Sequence, residues 1–332
     1  MTFFIRNPVA VITLWLLVIS GVTAEEWNVG FQIIPIPNSA FKNEIAVWYP
    51  TQVLPKNETL GTVALLIAKD SKPQTPMKGL IIISHGFSGN FLGHNDTAQT
   101  LAKFGYVVAT PTHPDLAGLR TGKPELDPLI SRPQHIQSII DEVSTHPLFE
   151  SNKLENRVGI IGFSIGAYTA LVTAGASPNF SNLASYCATN KKDELLCSIA
   201  SMRRFESIEP HLAAQQDSKI KAAVLLAPAY GPLFSEKSFT KVTIPIKMYS
   251  AEKDRALDNH YNAHHIKGLL TSNVTHDIVK DAGHFIFMAA CSNELKLAVP
   301  SICNDSELVD RIGIHQKINN DIIDFFNTML IE

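Results

Sequence analysis

Ser164 stands in "VGIIGFSIGAYTA" (residues 158–170), a lone hydroxyl between Gly162 and Gly166 where an apolar run meets a small-residue helical pattern. An alcohol is a weak nucleophile until a neighbouring base takes its proton. A sharp turn from strand to helix supplies much of what it otherwise lacks. Such a turn lifts the side chain above the sheet edge and points the first helical amides at any oxyanion forming beside it. Glycines on both sides let neighbouring backbones crowd the bend. The bland alternative is that they merely turn the chain; a strand before and a helix after favour the nucleophile.

The groups that would activate this serine follow in the order acid, then base. "YSAEKDRAL" puts Asp254 just past an apolar strand ending at Ser250, and "DAGHFIF" puts His284 just past a strand ending near Ala282. His284 would accept the Ser164 proton, while Asp254 would fix the imidazole tautomer and stabilise the imidazolium. Glu252 and Asp258 are the neighbouring alternatives for the acid. Two backbone amides are the expected oxyanion donors: Ile165, directly after the serine, and Phe87 in "IIISHGFSGN", the loop after an earlier strand. That loop is no phosphate cradle, since no Gly-Lys-[Ser/Thr] follows.

His260 and His264 have the i, i+4 spacing of a helical metal pair, but the glutamate of H-E-x-x-H and a clear third ligand are missing. No metal and no cofactor is therefore expected. His113 and Asp115, in "TPTHPDLAG", would line the pocket mouth or hold their own loop.

The elements that must position these residues alternate. "FQIIPIP", "EIAVWYP" and "TVALLIA" read as early strands, and "GLIIISHG", "YVVATP", "RVGIIGFS", "KAAVLLAPA", "IPIKMYS" and "THDIVKDA" as later ones. Helices are expected over "NDTAQTLAKFG", with Asn95 or Asp96 as cap, and from about Pro133, with proline in the first turn. Others follow Ser164, cover "DNHYNAHHIKGLL", and close the chain with Leu308, Ile312, Ile318, Ile322, Phe325 and Phe326 near one stripe. This is the pattern of an α/β fold: a mainly parallel, doubly wound sheet with flanking helices. An irregular stretch at about 177–218 interrupts it and reads as a lid-like insertion.

Composition bounds the function classes. With 332 residues, 45% of them hydrophobic, 18% charged and a net charge of −3, the chain describes a globular protein without a basic stripe. Nucleic acid is not an expected partner. Residues 1–24 read as a cleaved signal peptide: Arg6, the apolar "VAVITLWLLVISGV", then "VTA" before Glu25. The apolar run is shorter than the roughly 20 residues of a membrane span. The mature part, 25–332, is expected to be one domain. Its cysteines fall into two close pairs, Cys187 with Cys197 and Cys291 with Cys303, the most economical of the three pairings. Bridged, they imply a periplasmic or extracellular location. N-x-[Ser/Thr] triplets begin at Asn57, Asn95, Asn179, Asn273 and Asn304 and matter only on a eukaryotic secretory route.

"SHGFSG", "GFSIGA", "AEKD" and "AGHF", in this order and spacing, resemble the α/β-hydrolase superfamily and its dienelactone-hydrolase-like branch. "EIAVWYPT" and "SRPQHIQSIIDEV" look like the group that includes the plasma-type platelet-activating-factor acetylhydrolases. The resemblance spans about 29–287. It implies a metal-independent carboxylic-ester hydrolase with Ser164, Asp254 and His284 at the matching positions. Dienelactone hydrolases proper carry a cysteine nucleophile; a serine here moves the expectation toward an esterase or lipase-like enzyme. The expected partner is a small ester or lipid, with transient contact to a lipid surface. Thioesterase, acyltransferase or peptidase activity on the same triad is the alternative, as is a binding protein that has kept only the fold.

Overall fold

In a computed structural model the protein is described over residues 27–36, 44–211, 215–270 and 274–331. The expected leader at 1–24 lies outside them.

Ten strands form one sheet: β1 Asn28–Pro35, β2 Glu44–Thr51, β3 Lys56–Leu60, β4 Val63–Lys69, β5 Leu80–Ser84, β6 Val107–Pro111, β7 Val158–Phe163, β8 Ile220–Leu226, β9 Ile246–Ala251 and β10 Val274–Val279. Their order is β10-β9-β8-β7-β5-β6-β2-β1-β4-β3. From β6 to β10 every neighbouring pair is parallel. β2 runs antiparallel to both β6 and β1, and β3 antiparallel to β4. The sequence reading missed β3, "KNETL", because a short, polar edge strand carries no apolar alternation; its charges discourage pairing with another chain.

The apolar runs of the central strands reflect cover on both faces. In β5, Leu80 and Ile82 join one core, and Ile81 and Ile83 join the other. Helix α1 (Asn95–Lys103) packs on the second face; α2 (Asp115–Thr121) leads into α3 (Pro128–Thr145), which with α4 (Ile165–Thr173) covers the first. The expected start of α3 at Pro133 is corrected to Pro128: Asp127 caps it by accepting the Leu129 N–H at 3.0 Å. Pro133 then lies inside the helix, where it cannot donate to the Leu129 carbonyl. The Tyr168 hydroxyl donates to that carbonyl instead, at 3.3 Å.

The insertion holds α5 (Asn182–Thr189), α6 (Glu194–Cys197) and α7 (Ile199–Ile208), and a Cys187–Cys197 disulfide joins α5 to α6. Arg204 on α7 clamps the insertion to the α3 cap, with both Nε and Nη2 donating to Asp127. Helix α8 is Ala263–Leu269; α9 (Asn293–Ala298) and α10 (Pro300–Cys303) follow, and the Cys291–Cys303 disulfide ties the end of α10 to the segment just before α9. The last helix, α11, is Arg311–Leu330.

Its expected apolar stripe holds only at the C-terminal end. Ile322 and Phe326 are buried, whereas Leu308 precedes the helix and is exposed, as is Ile312. Arg311, His315 and Asn319 take the buried positions of the first turns, because the groups they face are polar: Asp305, Asp96 and Thr97. Among the described residues no helix is long and apolar enough to cross a membrane.

Candidate active site

β7 ends at Phe163 and α4 begins at Ile165, so Ser164 alone makes the turn, at φ 55° and ψ −118°. A non-glycine residue there costs about 1–3 kcal/mol, and the surroundings hold it in place. The Ser164 N–H donates to Leu226 O at 2.9 Å, and the Ser164 carbonyl accepts the Ala167 N–H. Both flanking glycines answer to crowding. A Cβ on Gly162 would lie 2.2 Å from Gly166 O, and one on Gly166 2.0 Å from Ser84 O.

Parallel strands bring the ends of β5, β7, β9 and β10 to one sheet edge. There His284 Nδ1 bonds Asp254 Oδ2 at 2.7 Å, with the Asp254 side chain almost wholly enclosed. The other carboxylate oxygen, Oδ1, accepts the Ala256 and Leu257 N–H groups at 2.9 and 2.8 Å. The expected rivals are engaged elsewhere: Glu252 accepts the Asp281 N–H, and Asp258 the His260 N–H. The ring of Phe163, adjacent to the serine, lies 4.9 Å from that of His284. The structure thus joins acid to base, with the ring of the residue before Ser164 against the base; among the described residues the half-buried Ser164 hydroxyl has no hydrogen-bond partner.

Ile165 opens α4, so its N–H has no carbonyl within the helix to bond. The Phe87 N–H follows β5, and its loop runs against the elbow: a Cβ on Gly86 would lie 3.7 Å from the Ser164 Cβ. His113 and Asp115 are both buried and bond within the site, His113 to Ser84 and Asp115 to Arg132. The expected helical pair His260 and His264 does not form, because α8 starts only at Ala263. His264 packs against His276 instead.

Sequence reasoning missed two things. One is Arg132, whose guanidinium bonds Asp115 and the carbonyls of His85 and Gly86. Its signal was a charge on a helix face otherwise made of Leu129, Ile136, Ile139 and Val143. The other is a set of histidines behind the site. His315 on α11 bonds Asp96 through Nδ1 and the Ile286 carbonyl through Nε2, the latter at 2.5 Å. Two acceptors require both ring nitrogens to carry protons, so His315 is an imidazolium. It holds the 284–287 turn that bears His284.

Burial lowers His315's affinity for a proton, but the Asp96 carboxylate outweighs it and the pKa is raised. The opposite holds for four others. Burial keeps His85 and His113 well below the usual range, with the Arg132 charge adding to it, and lowers His94 and His135 to about 4. All four are folded as neutral rings while the unfolded chain protonates them below about pH 6.5, so their contribution is lost as pH falls. His315 has the other sign: its contribution is complete below about pH 6.5 and fades as pH rises through its raised pKa. Burial lowers His276 as well, so with five against one, stability should drop steeply on acidification, by up to about 1.4 kcal/mol per pH unit for each neutral histidine. Urea unfolding at about pH 7.5 and 5.5 measures this; equal midpoints would refute it.

Residues 63–202 match the model of the dienelactone hydrolase family. The match takes in "SHGFSG" and the Ser164 turn and ends before Asp254 and His284. Over those residues, fewer than half of its length, the chain is similar to the dienelactone hydrolase family. No curated protein matches it. Among solved structures it is similar to a predicted CIB-like hydrolase from Thermoplasma acidophilum, at 12% identity and a TM-score of 0.46, over 91% of this chain and 100% of that one.

Proposed function

We propose that this chain is an α/β-hydrolase of the dienelactone-hydrolase-like branch, an exported serine carboxylic-ester hydrolase whose triad is Ser164, His284 and Asp254, in one domain spanning 25–332. The observation that carries the reading is the strained Ser164 backbone, at φ 55°, at the same sheet edge as an enclosed Asp254–His284 pair.

His284 Nε2 takes the Ser164 proton as Oγ bonds the ester carbonyl carbon. The Phe87 and Ile165 N–H groups hold the resulting oxyanion. As the intermediate collapses, the carbon–alkoxide bond breaks and His284 gives its proton to the leaving alcohol. Water, deprotonated by the same ring, then attacks the acyl-enzyme and releases the acid. Asp254 keeps the Nδ1 proton in place throughout. The leader-like sequence of residues 1–24 and the two disulfides support an oxidising compartment. Apolar side chains of the insertion such as Leu195 and Ile199, both exposed, support an ester with an acyl or lipid body and contact with a lipid surface.

A fluorophosphonate probe should label the protein once, at Ser164 by peptide mapping, and hydrolysis of p-nitrophenyl esters of rising acyl length should stop on labelling. A chain that binds esters without reacting with the probe would overturn the reading. Faster turnover of thioester or peptide than of ester would move it to one of those activities.

A further inference from the structure

We propose that Arg132 and Asp115 are the positioning residues that aim the Phe87 amide at the oxyanion, an inference that rests on the serine-hydrolase reading above. Arg132 is 1% exposed. Four of its five N–H donors are engaged: Nε and Nη2 with the two Asp115 oxygens at 2.8 and 2.5 Å, Nη1 with His85 O at 2.6 Å, and Nη2 also with Gly86 O at 3.1 Å. A buried ion pair is costly to desolvate and adds little stability that apolar packing would not. Here it is spent on the carbonyls of a single loop.

The peptide group is planar and trans, so its C=O and N–H point in opposite directions. Gly86 C=O and Phe87 N–H belong to one such group. With the carbonyl drawn inward to Arg132, the Phe87 N–H must face outward, away from the guanidinium. The next peptide is fixed as well, because the Ser88 N–H donates to Asp115 Oδ2 at 3.0 Å. The ion pair therefore grips the planes on both sides of Phe87, leaving the backbone of that residue no rotational freedom. Its side chain, 51% exposed, is not what is held. Among the described residues no acceptor takes the Phe87 N–H, although the carbonyls of His85 and Gly86 and the Ser88 N–H are all bonded.

His85 locks the same plane from its other side. Its Nε2 accepts the His113 backbone N–H at 2.8 Å, so the ring proton must sit on Nδ1, which donates to Gly86 O at 2.6 Å. The loop's distance from the nucleophile is set by Gly86, where any Cβ would meet the Phe163 ring at 2.9 Å. A guanidinium is needed because only its fork reaches a carboxylate and two carbonyls at once; an ammonium would keep the charge and lose the geometry.

Arg132→Lys and Asp115→Asn test this, with p-nitrophenyl acetate and its thionoester compared at a temperature where near-ultraviolet circular dichroism shows each variant folded. Amide donors bind an oxyanion more strongly than its sulfur analogue, so the ester-to-thionoester ratio of kcat/KM reads the hole itself. In the lysine variant kcat should fall about 10²-fold with KM changed less than about threefold, and the ratio should fall about tenfold. Asp115→Asn, which keeps the side-chain shape, should move all three quantities in the same directions and carries the test should Arg132→Lys not fold. A folded variant with the wild-type ratio overturns the proposal, whether or not kcat falls, because a merely structural role would lower activity without touching that ratio. Failure of the underlying reading looks different: the wild-type protein itself would go unlabelled at Ser164.

Discussion

Exchanging Ser164 for alanine is expected to lower kcat on p-nitrophenyl acetate by about 10⁴-fold or more while leaving a folded protein. The size of the loss follows from what is removed. Without Oγ no acyl-enzyme can form, and the remaining amides and imidazole can only assist direct attack by water. The fold should tolerate the change, since among the described residues the hydroxyl has no hydrogen-bond partner to leave unpaired. The strain of φ 55° remains in the variant, because alanine has a Cβ as serine does. Thermal unfolding within a few degrees of wild type, together with loss of fluorophosphonate labelling, is the full expected result. Undiminished turnover in the alanine variant would transfer the nucleophile to another residue.

What the sequence reveals and what it hides divide along a physical line. Ser164 was legible because its requirement is local: two close approaches, at Gly162 and Gly166, fall within five residues of one another. The meeting of Asp254 with His284 was legible because a parallel sheet delivers strand ends to one edge, and both follow strands. The central strands announced themselves by unbroken apolar runs, the signature of cover on two faces. Arg132 was not legible as part of the site. Its partners are a carboxylate 17 residues away and two backbone carbonyls, and carbonyls leave no mark in a sequence. The same blindness produced the error on α11. A stripe drawn from Leu308 and Ile312 assumes an apolar counterpart, whereas α1 offers Asp96 and Thr97 there. The early start of α3 was hidden for a similar reason: Pro133 sits mid-helix only because the Tyr168 hydroxyl, from another element, satisfies the carbonyl it orphans.

Replacing Asp254 by asparagine should lower kcat by about 10³- to 10⁴-fold with little change in stability or KM, and the geometry says why. The two carboxylate oxygens have separate tasks. Oδ1 accepts two backbone N–H groups, from Ala256 and Leu257, and Oδ2 accepts the His284 Nδ1 proton. An asparagine in this pocket can keep its carbonyl in only one of those places. Turned toward His284, it would press its NH2 against two N–H donors, which sets donor against donor and breaks both backbone hydrogen bonds. The carbonyl must therefore stay on the backbone, and the NH2 must face the imidazole. Nδ1 then has to accept, and the ring proton moves to Nε2, the nitrogen that must take the proton of Ser164. The base is in place but in the wrong tautomer. Raising the pH cannot rescue it, because the defect is where the proton sits and not whether the ring is charged. A kcat that stays depressed across the accessible alkaline range, in a protein that unfolds at the wild-type urea concentration, is the expected outcome. An asparagine variant retaining most of its activity would mean that His284 does not serve as the base, or that another acid orients it.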